Sequence, residues 1–379
     1  MNRKLRMGAI SFEHGHQYGW MRAMLRLPSV ELVAISEPDE RLRARALAEI
    51  HAYDRLAFGH DPDQGDVRVY AEHADLIGAT DIEAVSICAA NVQHHALTVA
   101  AAAADKHVLC EKPLAVSLDE ATDMVRACRS AEVQLGLAYP VRHAPAAWEA
   151  KQRLAAGELG AIQAMSVTNV LRAATVGWFI DPEKSGGGAI RDHIVHGTDL
   201  MRWLSAREVR EIYCEADPRM RDIPVEDTGM LIEVFENGVI GTCDPSWNRP
   251  LTWPKWGDVT ARILCARGVL EIDVTGDYVA LTDASSPRPG YAPSPRTRGE
   301  GGGEGPAWPP PPPHRHLGFG ASMDHYLLQD FAASVLAGRA PCASGRDGWA
   351  GVACIEAAYA SARTHRFVEV AQFADHVTW

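Results

Sequence analysis

The chain has 379 residues, 47% of them hydrophobic, so it can bury a large core and is expected to form two domains. A net charge of −12 argues against nucleic acid as the main partner, because phosphate binding draws on clustered Lys and Arg. No apolar run reaches the roughly 20 residues of a membrane span, and the eight cysteines form no CxxC pair, so we expect a cytoplasmic protein without membrane contact or a disulfide framework.

The first third of the chain alternates strand-like and helix-like segments. The apolar pattern predicts strands at residues 5–10, 31–36, 84–88, 108–110 and 133–137, and helices at residues 18–27, 39–50, 94–104 and 118–131. Alternation of this kind predicts βαβ units and a parallel sheet. Ligands of such sheets bind at the carboxyl ends of the strands.

After about residue 140 the pattern changes to consecutive strands with short links. Helices are predicted at residues 145–156 and 188–204, strands at 209–216, 229–235, 238–243, 258–265 and 268–274, and helices at 323–336 and 345–364. Asn237-Gly238 between two apolar runs predicts a hairpin. We therefore expect an α/β chain with a parallel-sheet domain at residues 1–138. An α+β domain with a large, mostly antiparallel sheet is expected at residues 139–379.

Residues 284–316 break this pattern, because Pro, Gly, Ser and Arg dominate and cannot build a packed core. The composition predicts a disordered insertion without a catalytic role. The five prolines at 309–313 leave open a second interpretation as a ligand for a proline-binding domain.

The stretch HVLCEKPLAV, residues 107–116, is a predicted strand that ends in two charged residues and a proline. At the carboxyl end of a parallel strand, Glu111 and Lys112 would face the ligand crevice. A lysine there can hold a hydroxyl group and stabilise negative charge that develops on its oxygen. Pro113 would make the exit rigid and can support a cis bond. The alternative is a solvated pair of loop charges.

The stretch SGGGAIRDHIVHGTDLMRWL, residues 185–204, combines three glycines with a predicted helix. Asp192 and His196 are spaced i, i+4 and therefore share a helix face. A histidine beside a carboxylate is the arrangement of a positioned proton-transfer group. The alternative is a structural Asp–His hydrogen bond, and nearby His193 and Asp199 leave the pairing open.

These two stretches together resemble the Gfo/Idh/MocA family of oxidoreductases. The family's E-K-P motif stands as Glu111-Lys112-Pro113, and its GGG…D…H helix as Gly186-Gly187-Gly188 with Asp192 and His196. The segments AVSICAANVQHH (84–95), YPVRHAP (139–145) and EDTGMLIEVFENGVIGT (226–242) agree as well. The resemblance covers nearly the whole chain except residues 284–316.

The resemblance implies a Rossmann-like domain followed by a domain whose open sheet packs against a second subunit, in a homodimer or homotetramer. It also implies NAD(P)-dependent oxidation of a secondary alcohol on a sugar, polyol or inositol-like substrate. Carried onto this chain, His196 accepts the hydroxyl proton, Asp192 orients it and Lys112 steadies the alkoxide, with exchange of the two roles left open. Asn91 and His94 would approach the nicotinamide and the substrate, near Glu111 and Lys112.

The family's glycine-rich phosphate loop is altered in this chain. In a gapless alignment to G-x-G-x-x-G, Ser11, Glu13 and His16 replace the three glycines. We still expect Ser11, Phe12, Glu13 and His14 to form the cofactor turn, since backbone amides can bind phosphate without glycine side chains. Two histidines beside Glu13 are compatible with a metal, but HxH in a loop is common, and we predict no metal site.

Glu37 follows the second strand at the place of the acidic residue that binds the adenosine ribose, which favours NAD over NADP. Arg142, Trp178 and residues 247–256 are candidates for the sugar pocket, or else are core residues. Two further functions remain open: a glycosidase that retains NAD, and a non-catalytic member with a degenerate cofactor loop. The substrate and the direction of the reaction cannot be predicted from the sequence.

Overall fold

The computed structural model describes residues 3–55, 66–171, 177–250, 252, 257–275, 278–283 and 322–373. These residues form two β-sheets, one of six strands and one of eight. The predicted insertion at residues 284–316 lies outside the described residues, as do Trp253 and Trp256 of the predicted pocket stretch.

The strands of the first sheet are β1 (Leu5–Ile10), β2 (Val30–Ser36), β3 (Arg68–Tyr70), β4 (Ala84–Ile87), β5 (His107–Cys110) and β6 (Leu135–Leu137). The strands of the second sheet are β7 (Ile162–Leu171), β8 (Val209–Asp217), β9 (Thr228–Phe235), β10 (Ile240–Asp244), β11 (Gly257–Cys265), β12 (Gly268–Asp273), β13 (Tyr278–Asp283) and β14 (Val368–Glu369). The helices are α1 (His16–Arg26), α2 (Glu40–Arg55), α3 (His73–Ile77), α4 (His94–Ala103), α5 (Leu118–Ser130), α6 (Pro140–His143), α7 (Pro145–Ala155), α8 (Pro182–Ser185), α9 (Ala189–Ser205), α10 (Met323–Ala337) and α11 (Gly345–Thr364).

The first sheet is entirely parallel, in the order β3-β2-β1-β4-β5-β6. This confirms the predicted parallel sheet and is the strand order of dinucleotide-binding folds. Every residue of β4 is buried, as expected for a strand covered by helices on both faces. Because the order reverses between β1 and β4, the connections after these strands diverge and leave a crevice at their carboxyl ends.

The second sheet has the order β13-β12-β11-β7-β10-β9-β8-β14. All its pairs are antiparallel except β7 with β10, which confirms the prediction of a mostly antiparallel sheet. The predicted hairpin joins β9 to β10, and Gly238 in its turn has a φ of +81°, which a glycine adopts without strain.

One face of the second sheet packs against α9 and α11. Helix α9 approaches the sheet so closely that a Cβ on its Gly197 would lie 2.6 Å from the Sγ atom of Cys243 on β10. The opposite face exposes large apolar side chains, among them Met230, Ile232 and Ile240. Among the described residues, no helix combines the length and the hydrophobicity needed to cross a bilayer.

Helix α10 returns from the second sheet to the first. Its residues Leu327, Leu328 and Phe331 are buried in the cluster that also holds Met7 of β1. The carboxyl-terminal part of the chain therefore completes the core beside the parallel sheet.

The three glycines before α9 are needed by the protein's own backbone. Gly186 has a φ of +74°, and a Cβ on Gly188 would lie 2.0 Å from the carbonyl oxygen of Glu226. The carboxylate of Glu226 accepts hydrogen bonds from the amides of Gly188 (2.9 Å) and Ile190 (3.0 Å). These contacts fix the start of α9, the helix that carries Asp192 and His196.

Candidate active site

Lys112 and Asp192 meet at the carboxyl end of β5. The Nζ atom of Lys112 lies 2.5 Å from Oδ1 of Asp192 and 3.2 Å from its carbonyl oxygen. Both side chains are buried, and the Lys112–Pro113 peptide is cis. The structure thus brings together the two motifs that the sequence analysis singled out.

The other oxygen of Asp192 has two partners: His193, which the sequence left open as an alternative, and Trp247, which it did not predict as a partner. Oδ2 accepts a hydrogen bond from Nε1 of Trp247 at 3.1 Å and lies 3.1 Å from Nε2 of His193. Burial alone would raise the pKa of Asp192, but the charges of Lys112 and His193 outweigh burial and hold it well below its usual value. Asp192 is therefore an ionised carboxylate at neutral pH.

The predicted hydrogen bond between Asp192 and His196 does not form. Both residues are described, and the carboxylate of Asp192 is already occupied by Lys112, His193 and Trp247. The i, i+4 spacing placed the two side chains on one face, but the partners of the carboxylate are the adjacent His193 and two residues on other elements, Lys112 and Trp247. Asp192 thus contacts Lys112 rather than His196.

His196 lies beside this pair without a hydrogen bond to it. Its Nδ1 atom is buried and has no partner among the described residues, and its ring meets Tyr139 edge-on at 6.2 Å between centroids. Burial and then the charge of Lys112 hold the pKa of His196 well below its usual value. The imidazole is therefore neutral at neutral pH.

The turn between β1 and α1 keeps the conformation of a glycine loop without its glycines. Ser11 has a φ of +63°, the left-handed region in which such a turn usually places glycine. The carboxylate of Glu37 accepts hydrogen bonds from the amides of Phe12 (2.6 Å) and Asp39 (2.8 Å). Glu37 at the end of β2 thus braces the turn.

Glu13, the least expected residue in a phosphate loop, is turned away onto the segment that precedes α4. Its Oε2 atom accepts hydrogen bonds from the amide of Ala90 (3.0 Å) and from Nε2 of Gln93 (2.8 Å). Its carbonyl oxygen accepts a hydrogen bond from Nε1 of Trp178 at 3.3 Å. The two donors to Oε2 therefore offset the negative charge of Glu13 within the protein.

Most amides of this turn already have acceptors within the protein. Hydrogen bonds are made by the backbone N–H groups of residues 12, 13, 14, 16, 17 and 18. Gly15 has the one amide of residues 12–18 without an acceptor in the described part of the chain, and a Cβ there would meet nothing within 4 Å. Space is therefore open in front of Gly15, and the left-handed turn at Ser11 and the acid at Glu37 fit a dinucleotide.

His14, His16 and Glu111 form a second polar cluster at the same edge of the sheet. Nδ1 of His16 lies 3.2 Å from Oε2 of Glu111, and the ring centroids of the two histidines are 4.2 Å apart. Burial alone would raise the pKa of Glu111, but the two histidines lower it to about 2. Burial alone would lower the pKa of His16, but Glu111 outweighs burial and raises it. The sequence analysis did not predict the contact between His16 and Glu111.

Two predicted cofactor residues make hydrogen bonds within the protein instead. Nδ2 of Asn91 donates to the carbonyl oxygen of Ser185 at 2.8 Å. This hydrogen bond links the segment between β4 and α4 to the end of α8. The ring nitrogens of the buried His94 lie 2.9 Å from the carbonyl oxygen of Pro113 and 3.1 Å from that of Ala89. Both residues therefore shape the crevice wall.

The prediction that Arg142 lines the substrate pocket is not supported. Its guanidinium donates to both carboxylate oxygens of Asp199 (2.6 and 2.5 Å), to Asp347 (2.8 Å) and to the carbonyl oxygen of Cys342 (2.7 Å). The side chain is buried, and these partners use all three of its nitrogens. Arg142 ties α6 to α9 and α11.

Trp178 covers the turn between β1 and α1. It lies on the short helical turn Gly177–Ile180, stacks on Phe179 at 4.0 Å between ring centroids, and lies 5.9 Å from the ring of His14. Trp247, from the second predicted pocket segment, is fully buried and binds Asp192. Both tryptophans therefore border the candidate site.

Two family profiles match the chain. The one described as an oxidoreductase family with an NAD-binding Rossmann fold matches residues 15–139, and the one described as the GFO/IDH/MocA C-terminal domain matches residues 148–271. The first match begins directly after the turn in which Ser11 and Glu13 replace glycines.

Curated relatives and solved structures agree with these profiles. The chain is 36% identical over 169 residues to 1,5-anhydro-D-fructose reductase of Ensifer adhaerens, covering 44% of this chain and 48% of that protein. It is 26% identical over 183 residues to myo-inositol 2-dehydrogenase of Thermotoga maritima, covering 47% and 54%. The matches thus span about half the length of these curated relatives.

A solved levoglucosan dehydrogenase in complex with NADH superposes with a TM-score of 0.78 at 22% identity, over 97% of this chain and 99% of that one. An aldose–aldose oxidoreductase from Caulobacter crescentus superposes with a TM-score of 0.77 at 20% identity, over 97% and 100%. At this identity the similarity establishes the fold.

Proposed function

Because the chain belongs to the GFO/IDH/MocA family of NAD-binding oxidoreductases, we propose that it transfers a hydride between a nicotinamide cofactor and a secondary alcohol of a sugar, polyol or inositol-like substrate. The observation that carries this proposal is the Lys112–Asp192 ion pair beside the neutral His196, at the carboxyl end of a parallel strand. The names of the relatives, a sugar reductase and an inositol dehydrogenase, support the substrate class.

In the proposed reaction, Lys112 and His196 handle the substrate hydroxyl. The ammonium group of Lys112, held by Asp192, donates to the hydroxyl oxygen and stabilises the negative charge that develops there. A ring nitrogen of His196 accepts the hydroxyl proton, for which the neutral imidazole has a free electron pair. Burial of all three side chains excludes water, which strengthens these interactions.

The dinucleotide would lie along the turn formed by Ser11, Phe12, Glu13 and His14, with the ribose at Glu37. When bound, it accepts the hydrogen and electron pair that leave the alcohol carbon. Gly15 offers its free amide to a phosphate. We propose NAD rather than NADP, because the carboxylate of Glu37 would repel a 2′-phosphate.

One observation favours a second candidate, a family member without a dinucleotide. The amides at residues 12–14 and 16–18 are already bonded within the protein, so the usual amide cradle for a pyrophosphate is largely closed. Such a protein would use the Lys112 cluster to bind a polyol without oxidising it.

We also propose a homo-oligomer that works in a reducing cytoplasm. The exposed Met230, Ile232, Ile240 and Leu264 lie on the face of the second sheet that α9 does not cover, and a second copy would bury them. All eight cysteines are free thiols, which supports a reducing compartment.

The test is a calorimetric titration of cofactor-free protein with NAD and with NADP, followed by turnover assays with a panel of sugars and polyols. We expect NAD to bind more tightly than NADP and to be reduced in the presence of a substrate. Release of a sugar from a glycoside without net reduction of NAD would replace the dehydrogenase with the NAD-retaining glycosidase. A folded protein that binds neither dinucleotide would establish the second candidate instead.

A further inference from the structure

The cluster of His14, His16 and Glu111 has the composition and spacing of a metal site. Each residue offers one ligand atom, and the three atoms all lie within 4.8 Å of one another. We propose that this cluster binds a divalent transition metal of the zinc class through two imidazoles and one carboxylate. The site is distinct from the Lys112–Asp192–His196 cluster, and the prediction from sequence alone, that no metal binds, is revised.

An unpartnered atom points to a missing ligand. Oε1 of Glu111 is buried and has no hydrogen-bond partner among the described residues, although the whole side chain is inaccessible to solvent. Buried polar atoms are nearly always bonded, because an unpaired one keeps the full cost of losing its water. The other oxygen has His16 at 3.2 Å and the thiol of Cys88 at 3.9 Å. A metal ion would give Oε1 the partner that it lacks among the described residues.

The backbone holds the three ligands in place before any ion arrives. Glu111 directly follows β5, and its amide donates to the carbonyl oxygen of Ile87 at 2.9 Å. The amide of His14 donates to the carbonyl oxygen of Cys88 at 3.0 Å. The amide of His16 donates to Nδ1 of His14 at 3.2 Å, and an ion that takes His14 displaces at most this one long hydrogen bond. Ligands on rigid supports lose little freedom when they bind.

The donor set selects the metal. Imidazole nitrogen and carboxylate oxygen suit zinc and its neighbours, whereas calcium and magnesium prefer oxygen ligands alone. Two histidines and one glutamate are the ligands of several catalytic zinc sites, which keep a fourth position for water or a substrate oxygen.

The competing explanation is an ion pair between a protonated His16 and Glu111 with no metal. That pair satisfies Oε2 but leaves the buried Oε1 of Glu111 without a partner among the described residues. The two explanations differ in whether purified protein takes up zinc, and this can be measured without a dinucleotide. Failure of the metal proposal is therefore distinguishable from failure of the proposed function.

The experiment is equilibrium dialysis of the full chain against Zn²⁺, with metal content measured by plasma mass spectrometry. Cys342 is the one cysteine that is not fully buried, so a Cys342→Ser background removes the accessible competing thiol. We expect about one zinc per chain. We expect His16→Gln and Glu111→Gln each to weaken zinc binding at least about 100-fold. His95→Ala is the matched control, because His95 is a partly exposed histidine paired with Asp123 on α5.

Cobalt provides a test that needs no variant. We expect Co²⁺ bound to the parent protein to give the intense visible absorption of a low-coordinate nitrogen and oxygen site, and added zinc to abolish it. Absence of zinc uptake by the folded parent protein would leave only the His16–Glu111 ion pair and overturn the proposal. Zinc uptake unchanged in both ligand variants would overturn it as well.

Discussion

Helix α9 carries buried charged groups in both halves, and the two sets differ in how completely they are satisfied. In the second half, Asp199 gives both carboxylate oxygens to Arg142, whose remaining nitrogen bonds to a carbonyl oxygen. In the first half, Asp192 is satisfied, but the neighbouring His196 has a buried nitrogen without a partner. The surroundings of His196 therefore have capacity left for a substrate, whereas the Asp199–Arg142 pair has none.

The number of hydrogen bonds that each buried cation makes distinguishes Arg142 from Lys112. Arg142 and Lys112 are both buried cations paired with aspartates of the same helix. Because all three nitrogens of its guanidinium are hydrogen-bonded within the protein, Arg142 is a structural link between three helices. Lys112 makes one ion pair and lies beside an imidazole with unused capacity, which is the condition for binding a further group.

Replacing Lys112 should affect catalysis most. We expect Lys112→Met to lower kcat/KM about 10³-fold or more, because the developing alkoxide loses its stabilising charge. The measurement is reduction of NAD with the substrate found in the screen. The matched control is Lys106→Met, which removes another buried lysine, one that bonds to the carbonyl oxygens of Ala79 and Ile82. A loss of kcat/KM equal to that of the control would remove Lys112 from the reaction.

Replacing Arg142 should affect stability instead. We expect Arg142→Met to lower the free energy of unfolding by about 3–5 kcal/mol, because the buried carboxylate of Asp199 and the partly buried carboxylate of Asp347 lose their hydrogen bonds to the guanidinium. Urea denaturation measures the change, and adding Asp199→Asn should restore part of it. Arg262→Met, which breaks an exposed pair with Glu271, should cost less than about 1 kcal/mol. Lost turnover at unchanged stability would return Arg142 to the substrate pocket.

The sequence predicted the two sheets because their strands carry regular apolar patterns. Strand β7 was missed, although Met165 and Val167 alternate with Ser166 and Thr168 and could have revealed it. Its outward polar residues weaken the apolar signal, and its antiparallel partner β11 lies far along the chain. Strand β3 was missed as well, because a three-residue, mostly exposed edge strand gives almost no pattern.

The site was predictable in its residues but not in its pairings. Lys112 and His196 were found through motif spacing and family resemblance. The pairing of Asp192 was left open between neighbours, and Trp247 was not predicted as its partner, because it reaches the carboxylate from the segment after β10. Short-range spacing describes which side chains share a face, whereas the lowest-energy pairing depends on charges brought in from distant elements.

A buried carboxylate beside the middle of α9, Glu233, gives a third prediction, and its expected effect is the smallest of the three. It lies on β9, buried, with one oxygen bonded to Thr198 of the helix and the other without a partner among the described residues. Burial raises its pKa to about 7, against 4.5 normally. Here the folded state holds the proton more tightly than the unfolded state, so stability falls as pH rises from about 4.5 to about 7 and then levels off.

We therefore expect Glu233→Gln to flatten this part of the pH profile. The rise in pKa corresponds to about 3 kcal/mol, so the variant should gain about 2–3 kcal/mol relative to the parent between pH 4.5 and pH 8. Urea denaturation at several pH values measures the gain, and Glu236→Gln in the exposed hairpin is the control. Parallel profiles for the parent and Glu233→Gln would mean that a counter-charge compensates Glu233. Glu233 would then be compensated as Asp199 is by Arg142, and the unused binding capacity would stay with His196.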